Sequence, residues 1–184
     1  MIFATGNHQK LKEFEAILGI KLNHSDLDLD EIQSVDVEEV AIHKAQQAYE
    51  ILKESVIVED TGLYFEELNG LPGALIKFFV KKLTLNQICS LIKENRKAKA
   101  VTCIAFFDGK ELKTFKGETK GEISIEPRGT NGFGWDSIFV PEGYSQTFAE
   151  ITSEEKEDKF MRKEAIKLLK AYILLPSLTK YKDI

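Results

Sequence analysis

The sequence predicts an α/β domain, and three observations carry that prediction. Short apolar runs of strand type and apolar stripes at helical spacing interleave along the whole chain, which indicates neither a helix bundle nor a β-sandwich. Turn signals (Gly6-Asn7, Asn69-Gly70, Leu71-Pro72-Gly73, Asp108-Gly109) fall between those runs. No repeat, low-complexity segment or linker interrupts them, so the 184 residues read as one domain, residues 1–184.

Taken in order, residues 2–5 read as a short buried strand, and Thr5-Gly6-Asn7 as the turn after it. A helix follows over residues 8–18, with Leu11, Phe14, Ile17 and Leu18 on one face. Residues 20–24 suit a second strand and residues 25–36 an acidic loop. Asp36 with Glu39 has capping-box spacing and opens a helix to about residue 54, its inward stripe being Val37, Val40, Ala41, Ala45, Ala48, Ile51 and Leu52. Residues 56–59 form a compact apolar strand that stops at Asp60-Thr61-Gly62. Two apolar helices are expected near 74–82 and 85–94, then strands from 98 to about 125 with a hairpin at Asp108-Gly109. A glycine-rich loop over 128–136 leads into a strand at 137–140. Thr152 with Glu155 has a second capping-box spacing, and the helix it opens runs to about Leu174, before Pro176.

Composition narrows the function classes. Hydrophobic residues at 43% and charged residues at 30% describe an ordinary globular chain. A formal charge of −5 argues against a general nucleic-acid binder, while leaving room for a small anion held by a local cationic cluster. Cys89 and Cys103 lack metal-ligand spacing and read as reduced interior thiols. A Gly-Asn turn follows the first five residues at once, unlike a signal peptide, and no apolar run approaches the roughly 20 residues of a membrane span. The expectation is a cytoplasmic protein with neither membrane nor nucleic acid as partner.

Six segments could carry chemistry. Thr5-Gly6-Asn7-His8-Gln9-Lys10 lies between a strand and a helix start, where unpaired backbone N–H groups suit phosphate oxygens and Lys10 adds a cation; an ordinary βα turn capped by Asn7 is the other reading. It matches neither the P-loop nor the dinucleotide-binding glycine pattern. Glu59-Asp60-Thr61-Gly62 puts two acids at the end of an apolar strand, able to hold a metal or deprotonate water, or merely to form a turn. Lys44 falls within an apolar helical stripe and Lys77 between Leu75-Ile76 and Phe78-Phe79; each snorkels to water or meets an anion. Gly132-Phe133-Gly134-Trp135-Asp136 sets aromatic rings between glycines, a poor way to build a core and a good platform for a base. The mixed charges from Glu154 to Arg162 suit a solvated helix face, from which Lys156 and Arg162 could project towards a ligand.

In this order, the motifs T-G-N-x-x-K, V-E-D-T-G-L, L-P-G, G-F-G-W-D and T-F-A-E resemble the inosine triphosphate pyrophosphatase family, the non-standard purine nucleoside triphosphate pyrophosphatases. The resemblance implies an elongated fold with a central mixed sheet flanked by helices, two lobes around a cleft, and a homodimer. It implies that Thr5, Gly6, Asn7, His8, Gln9 and Lys10 hold the triphosphate, with Lys44 and Lys77 adding charge and Thr61 a further substrate contact. Glu31 and Asp60 would bind Mg2+, Asp60 being also the general base. Phe133, Gly134, Trp135 and Asp136 would hold the base, with Lys156 and Arg162 nearby. One departure stands out: the family usually has Ser-His-Arg where this chain has Phe160-Met161-Arg162. Met161 can neither donate a hydrogen bond nor titrate, so base discrimination is expected to be weaker or differently built. The implied reaction cuts ITP, dITP or XTP to monophosphate and pyrophosphate. The rivals are a pyrophosphatase of pyrimidine or other modified triphosphates, and a nucleotide-binding module without catalysis.

Overall fold

In the computed structural model, residues 1–152 and 160–179 are described. Among them, seven strands form one open, mixed sheet: β1 (Ile2–Ala4), β2 (Asn23–Ser25), β3 (Val56–Phe65), β4 (Pro72–Gly73), β5 (Lys97–Phe107), β6 (Leu112–Ile123) and β7 (Phe139–Pro141). The order is β2-β1-β3-β5-β6-β7, with β4 also on β3. β1 runs parallel to β2 and β3; all other pairs are antiparallel. The helices are α1 (His8–Leu18), α2 (Val37–Leu52), α3 (Ile76–Lys82), α4 (Leu85–Leu91) and α5 (Met161–Thr179).

Local chemistry explains most boundaries. Asn7 caps α1 by accepting from the backbone N–H groups of Gln9 and Lys10, and Gly19 ends the helix at φ 76°. The next strand begins at Asn23, later than residue 20, because Leu22 is still tied back to Glu15 by a 3.0 Å hydrogen bond. Asp36 caps α2, but no capping box forms: the Glu39 carboxylate accepts from the Ser34 hydroxyl instead. The α2 stripe is buried from Val37 to Ala48, whereas Ile51 in the last turn is 56% exposed. A capping box does form at Thr84 and Gln87, which opens α4.

β3 does not stop at Asp60. It continues through Thr61 and Gly62 to Phe65, paired with β5 along its full length. Gly62 permits this, since a Cβ there would lie 2.8 Å from both the Gly73 backbone and the Val37 side chain. A short 3-10 turn, Asp136–Ile138, delays β7 to Phe139. The expected helix start at Thr152 and Glu155 falls on 153–159, outside the described residues. At its other end α5 passes Pro176 and ends at Thr179; proline forfeits one N–H bond inside the last turns without terminating the helix.

Three apolar clusters hold the layers together. One face of the sheet packs Phe3, Ile57 and Ile104 against Phe14 of α1 and Ile166 of α5. The opposite face packs Val56, Val58 and Cys103 against the alanines of α2, whose small side chains let that helix lie close. At the far end, Leu63, Phe65 and Ile123 join Ile88 of α4 and the aromatic group Trp135, Phe139, Phe148 and Phe160. Both cysteines are free and buried. Among the described residues, no helix is long and apolar enough to cross a membrane.

Candidate active site

The site begins at a gap in the sheet. β1 and β4 both lie on the edge of β3 away from β5, β1 pairing with Val56 and Ile57 and β4 with Leu63 and Tyr64. Between them the strand has no ladder partner on that edge among the described residues. A cleft of about 960 Å³ opens there, lined by α1, α2, α3, the glycine-rich loop and the start of α5.

Strand alternation divides the chemistry. Val56, Val58 and Asp60 face α2, whereas Ile57, Glu59 and Thr61 face α1 and α5. The two adjacent acids therefore serve different clusters on opposite faces of the strand.

On the α2 side, the Lys44 ammonium lies 2.7 Å from Glu31 and 3.0 Å from Asp60, and Lys77 lies 2.9 Å from the other Glu31 oxygen. Four positions scattered from 31 to 77 thus meet. Burial pushes the Asp60 carboxyl above its ordinary range despite the opposing pull of Lys44. For Glu31 burial acts the same way, but hydrogen bonds from Lys44 and Lys77 prevail and hold it below the usual range. Burial opposes the charge on Lys44, and the attraction of Asp60 and Glu31 outweighs it.

No group of three or more His, Cys, Asp or Glu residues among the described residues forms a metal cage. The donor set nevertheless fits magnesium, which keeps several waters and takes one or two carboxylates together with substrate phosphates. Glu31 and Asp60 are two carboxylates close enough to share one ammonium.

On the other side, the Glu59 side chain is 1% exposed and contacts Lys10 at 3.3 Å and Arg162 at 3.1 Å. Burial raises its pKa, but the positive charges of Arg162 and Lys10 overcome this and bring it down to about 2. Thr61 donates to the same Glu59 oxygen at 2.8 Å and lies 3.0 Å from the Thr102 hydroxyl. A hydroxyl carries one proton, so Thr102 is the donor to Thr61. Arg162 also reaches Glu13 of α1 at 3.2 Å.

The turn before α1 is a βα turn capped by Asn7. Asn7 caps Gln9 and Lys10 at 3.0 and 3.2 Å, so two of the helix-start N–H groups already have a partner. The turn still brings Asn7, Gln9 and Lys10 to the cleft wall. Thr5 accepts from the Asn7 N–H, the His8 ring stands edge-on to His24, and a Cβ on Gly6 would strike the Asp26 carboxylate.

The glycine-rich loop contributes unevenly. Phe133 is 46% exposed, with the Arg162 guanidinium 5.9 Å from its ring centre. Trp135 is only 9% exposed and stands edge-on to Phe139 within the far core, so it is a core residue with a face at the cleft wall. Asp136 turns back on its own loop to accept from the Phe133 N–H at 3.0 Å. Gly134 adopts φ 64° with open space where a Cβ would be, so backbone conformation requires the glycine there. Met161 is buried, and its N–H donates to Thr119 at 2.8 Å. Lys156 lies outside the described residues.

Sequence reasoning missed Glu13 and Thr102, and it named Lys10, Thr61 and Arg162 without their meeting at Glu59. Glu13 follows Lys10 by three residues and so shares its helix face, a signal available from spacing alone. Thr102 carried no such signal, because only the β3–β5 register sets it opposite Thr61.

The chain has relatives among known proteins. The chain is 42% identical over 185 residues to an inosine triphosphate pyrophosphatase of Kluyveromyces lactis, covering 94% of this chain and 95% of that protein. It is 43% identical over 162 residues to a dITP/XTP pyrophosphatase of Methanopyrus kandleri, covering 85% and 86%. Its fold is similar to that of a solved HAM1 protein from Coxiella burnetii, with TM-score 0.84 at 28% identity over 94% of this chain and 96% of that one. The model of the Ham1 family matches residues 1–172, and the chain belongs to that family.

Proposed function

We propose that this protein hydrolyses non-standard purine nucleoside triphosphates, ITP, dITP and XTP, to the monophosphate and pyrophosphate, with Mg2+ held by Glu31 and Asp60. The observation that carries the reading is the meeting of Glu31, Lys44, Asp60 and Lys77 in the cleft that also receives Lys10 and the exposed Phe133. The names of the relatives support the substrate class.

When bound, magnesium supplies charge neutralisation at the phosphate oxygens and acidifies water. Asp60, held 3.0 Å from the Lys44 ammonium at the cleft, takes a proton from the water that attacks the α-phosphorus. Lys44 and Lys77 are positioned to follow the phosphate charge as it develops, and Lys10 holds the phosphates from the α1 side. Phe133 offers a ring face to the base beside Arg162. Met161 contributes only apolar surface, so rejection of other bases rests on fewer polar groups. On this reading the working form is a homodimer in the cytoplasm, supported by the sequence resemblance and open to test by light scattering.

The test is pyrophosphate release from ITP, XTP, GTP, ATP, CTP and UTP, with magnesium and with chelator. Magnesium-dependent release favouring ITP and XTP is expected. A preference for pyrimidine triphosphates would replace the substrate class, and binding without release would make the protein a nucleotide-binding module.

A further inference from the structure

Glu59 is the most deeply buried carboxylate of the cleft, and its two oxygens are used very unequally. Oε1 lies 3.3 Å from the Lys10 ammonium, 3.1 Å from Arg162 Nε and 2.8 Å from the Thr61 hydroxyl. Oε2 is buried without a hydrogen-bond partner among the described residues. A carboxylate placed to satisfy itself would divide three donors between two oxygens. Here one oxygen gathers two cations from different elements, Lys10 of α1 and Arg162 of α5. Both nitrogens lie within about hydrogen-bond reach of a single atom, closer than two like charges would stay without it.

We propose that Glu59 is a positioning residue, fixing the spacing between Lys10 and Arg162 so that one nucleotide is gripped at its phosphates and at its base by a single coupled unit. This rests on reading the cleft as a nucleotide site. Asp60, Lys44 and Glu31 act from the opposite face of β3, so the coupling concerns how substrate is held and leaves the bond-breaking groups in place. Helices α1 and α5 share the apolar cluster behind the site, and at the cleft Arg162 also meets Glu13 of α1, but it is Glu59 that draws Lys10 and Arg162 to one atom.

The experiment compares KM and kcat for ITP in the wild type, Glu59→Gln and Glu59→Asp, together with a Lys10→Met/Arg162→Met double-mutant cycle. Glu59→Gln should raise KM about ten-fold or more and change kcat by less than about three-fold, and Glu59→Asp should recover part of the loss. The effects of Lys10→Met and Arg162→Met on KM should fail to multiply by at least about three-fold in the wild-type background, and should multiply in the Glu59→Gln background. An unchanged KM in Glu59→Gln, or independent Lys10 and Arg162 effects in the wild type, overturns the proposal. If Glu59→Gln fails to fold, the Asp variant and the wild-type cycle decide. Should the wild type cleave and bind no nucleotide, the functional reading fails separately. Nucleotide-free crystal structures of the wild type and of a Glu59 variant then decide the positioning role: Lys10 and Arg162 moving apart supports it, and both staying in place overturns it.

Discussion

Asp60 and Lys44 illustrate how a single buried contact sets up chemistry. Burial favours the neutral carboxyl, and the ammonium 3.0 Å away favours the charged one. Asp60→Asn should lower turnover by at least about a thousand-fold while leaving nucleotide affinity within a few-fold, as read by single-turnover kinetics and calorimetry. Near-normal turnover would remove Asp60 as the base. Cys103 has a different relation to its surroundings. Burial, aided by the negative charge of Glu38, pushes its thiol up to about 12. The native state therefore keeps the proton that the unfolded chain releases near the ordinary thiol value. This contribution to stability is present below about pH 9 and is lost as pH rises beyond it. Thiol reagents at pH 8 should label Cys103 only under denaturant; rapid labelling of the native protein would contradict its burial.

At the scale of elements, α1 and β3 carry most of the site. Asn7→Ala removes the acceptor for two N–H groups and should cost about 1 kcal/mol of stability by urea denaturation, with a raised KM because Lys10 rides on the same helix. Gly62→Val would force β4 away from β3 and should destabilise by about 1–3 kcal/mol, measurable as a lower melting temperature. These two elements also mark the limits of what could be read from the sequence. The α1 boundaries follow from an Asn cap, an apolar stripe and a Gly stop, all local signals, and the helix lies where they place it. β3 was read too short because Asp-Thr-Gly has turn chemistry, whereas the tertiary approach of Gly73 makes that glycine part of a strand. The same limit governs the site. Glu31, Lys44, Asp60 and Lys77 were named individually, but their meeting depends on how α2 and α3 pack beside β3. Trp135, chosen for its glycine neighbours, contributes mainly to the core, because those glycines serve the backbone of the loop.

For the whole molecule, the cleft draws its walls from both ends of the sheet, so substrate and fold are thermodynamically linked. A nucleotide at about a hundred times its dissociation constant should add roughly 2.7 kcal/mol to stability, which moves the melting temperature by several degrees. A thermal scan with ITP and magnesium, with ATP as the comparison, checks this without following the reaction; no shift with ITP would deny binding at the cleft.

The gap between β1 and β4 has one further consequence. A strand edge without a neighbour invites another chain to add to it, and proteins commonly deter this with charge. Glu59, Asp60 and the lysines around them stand along that stretch of β3. Charge at this stretch, Asp60 with Lys44 above all, should likewise deter an added strand. Apolar replacements such as Asp60→Val should lose solubility as well as activity, and inactive variants of this enzyme are better made with polar isosteres.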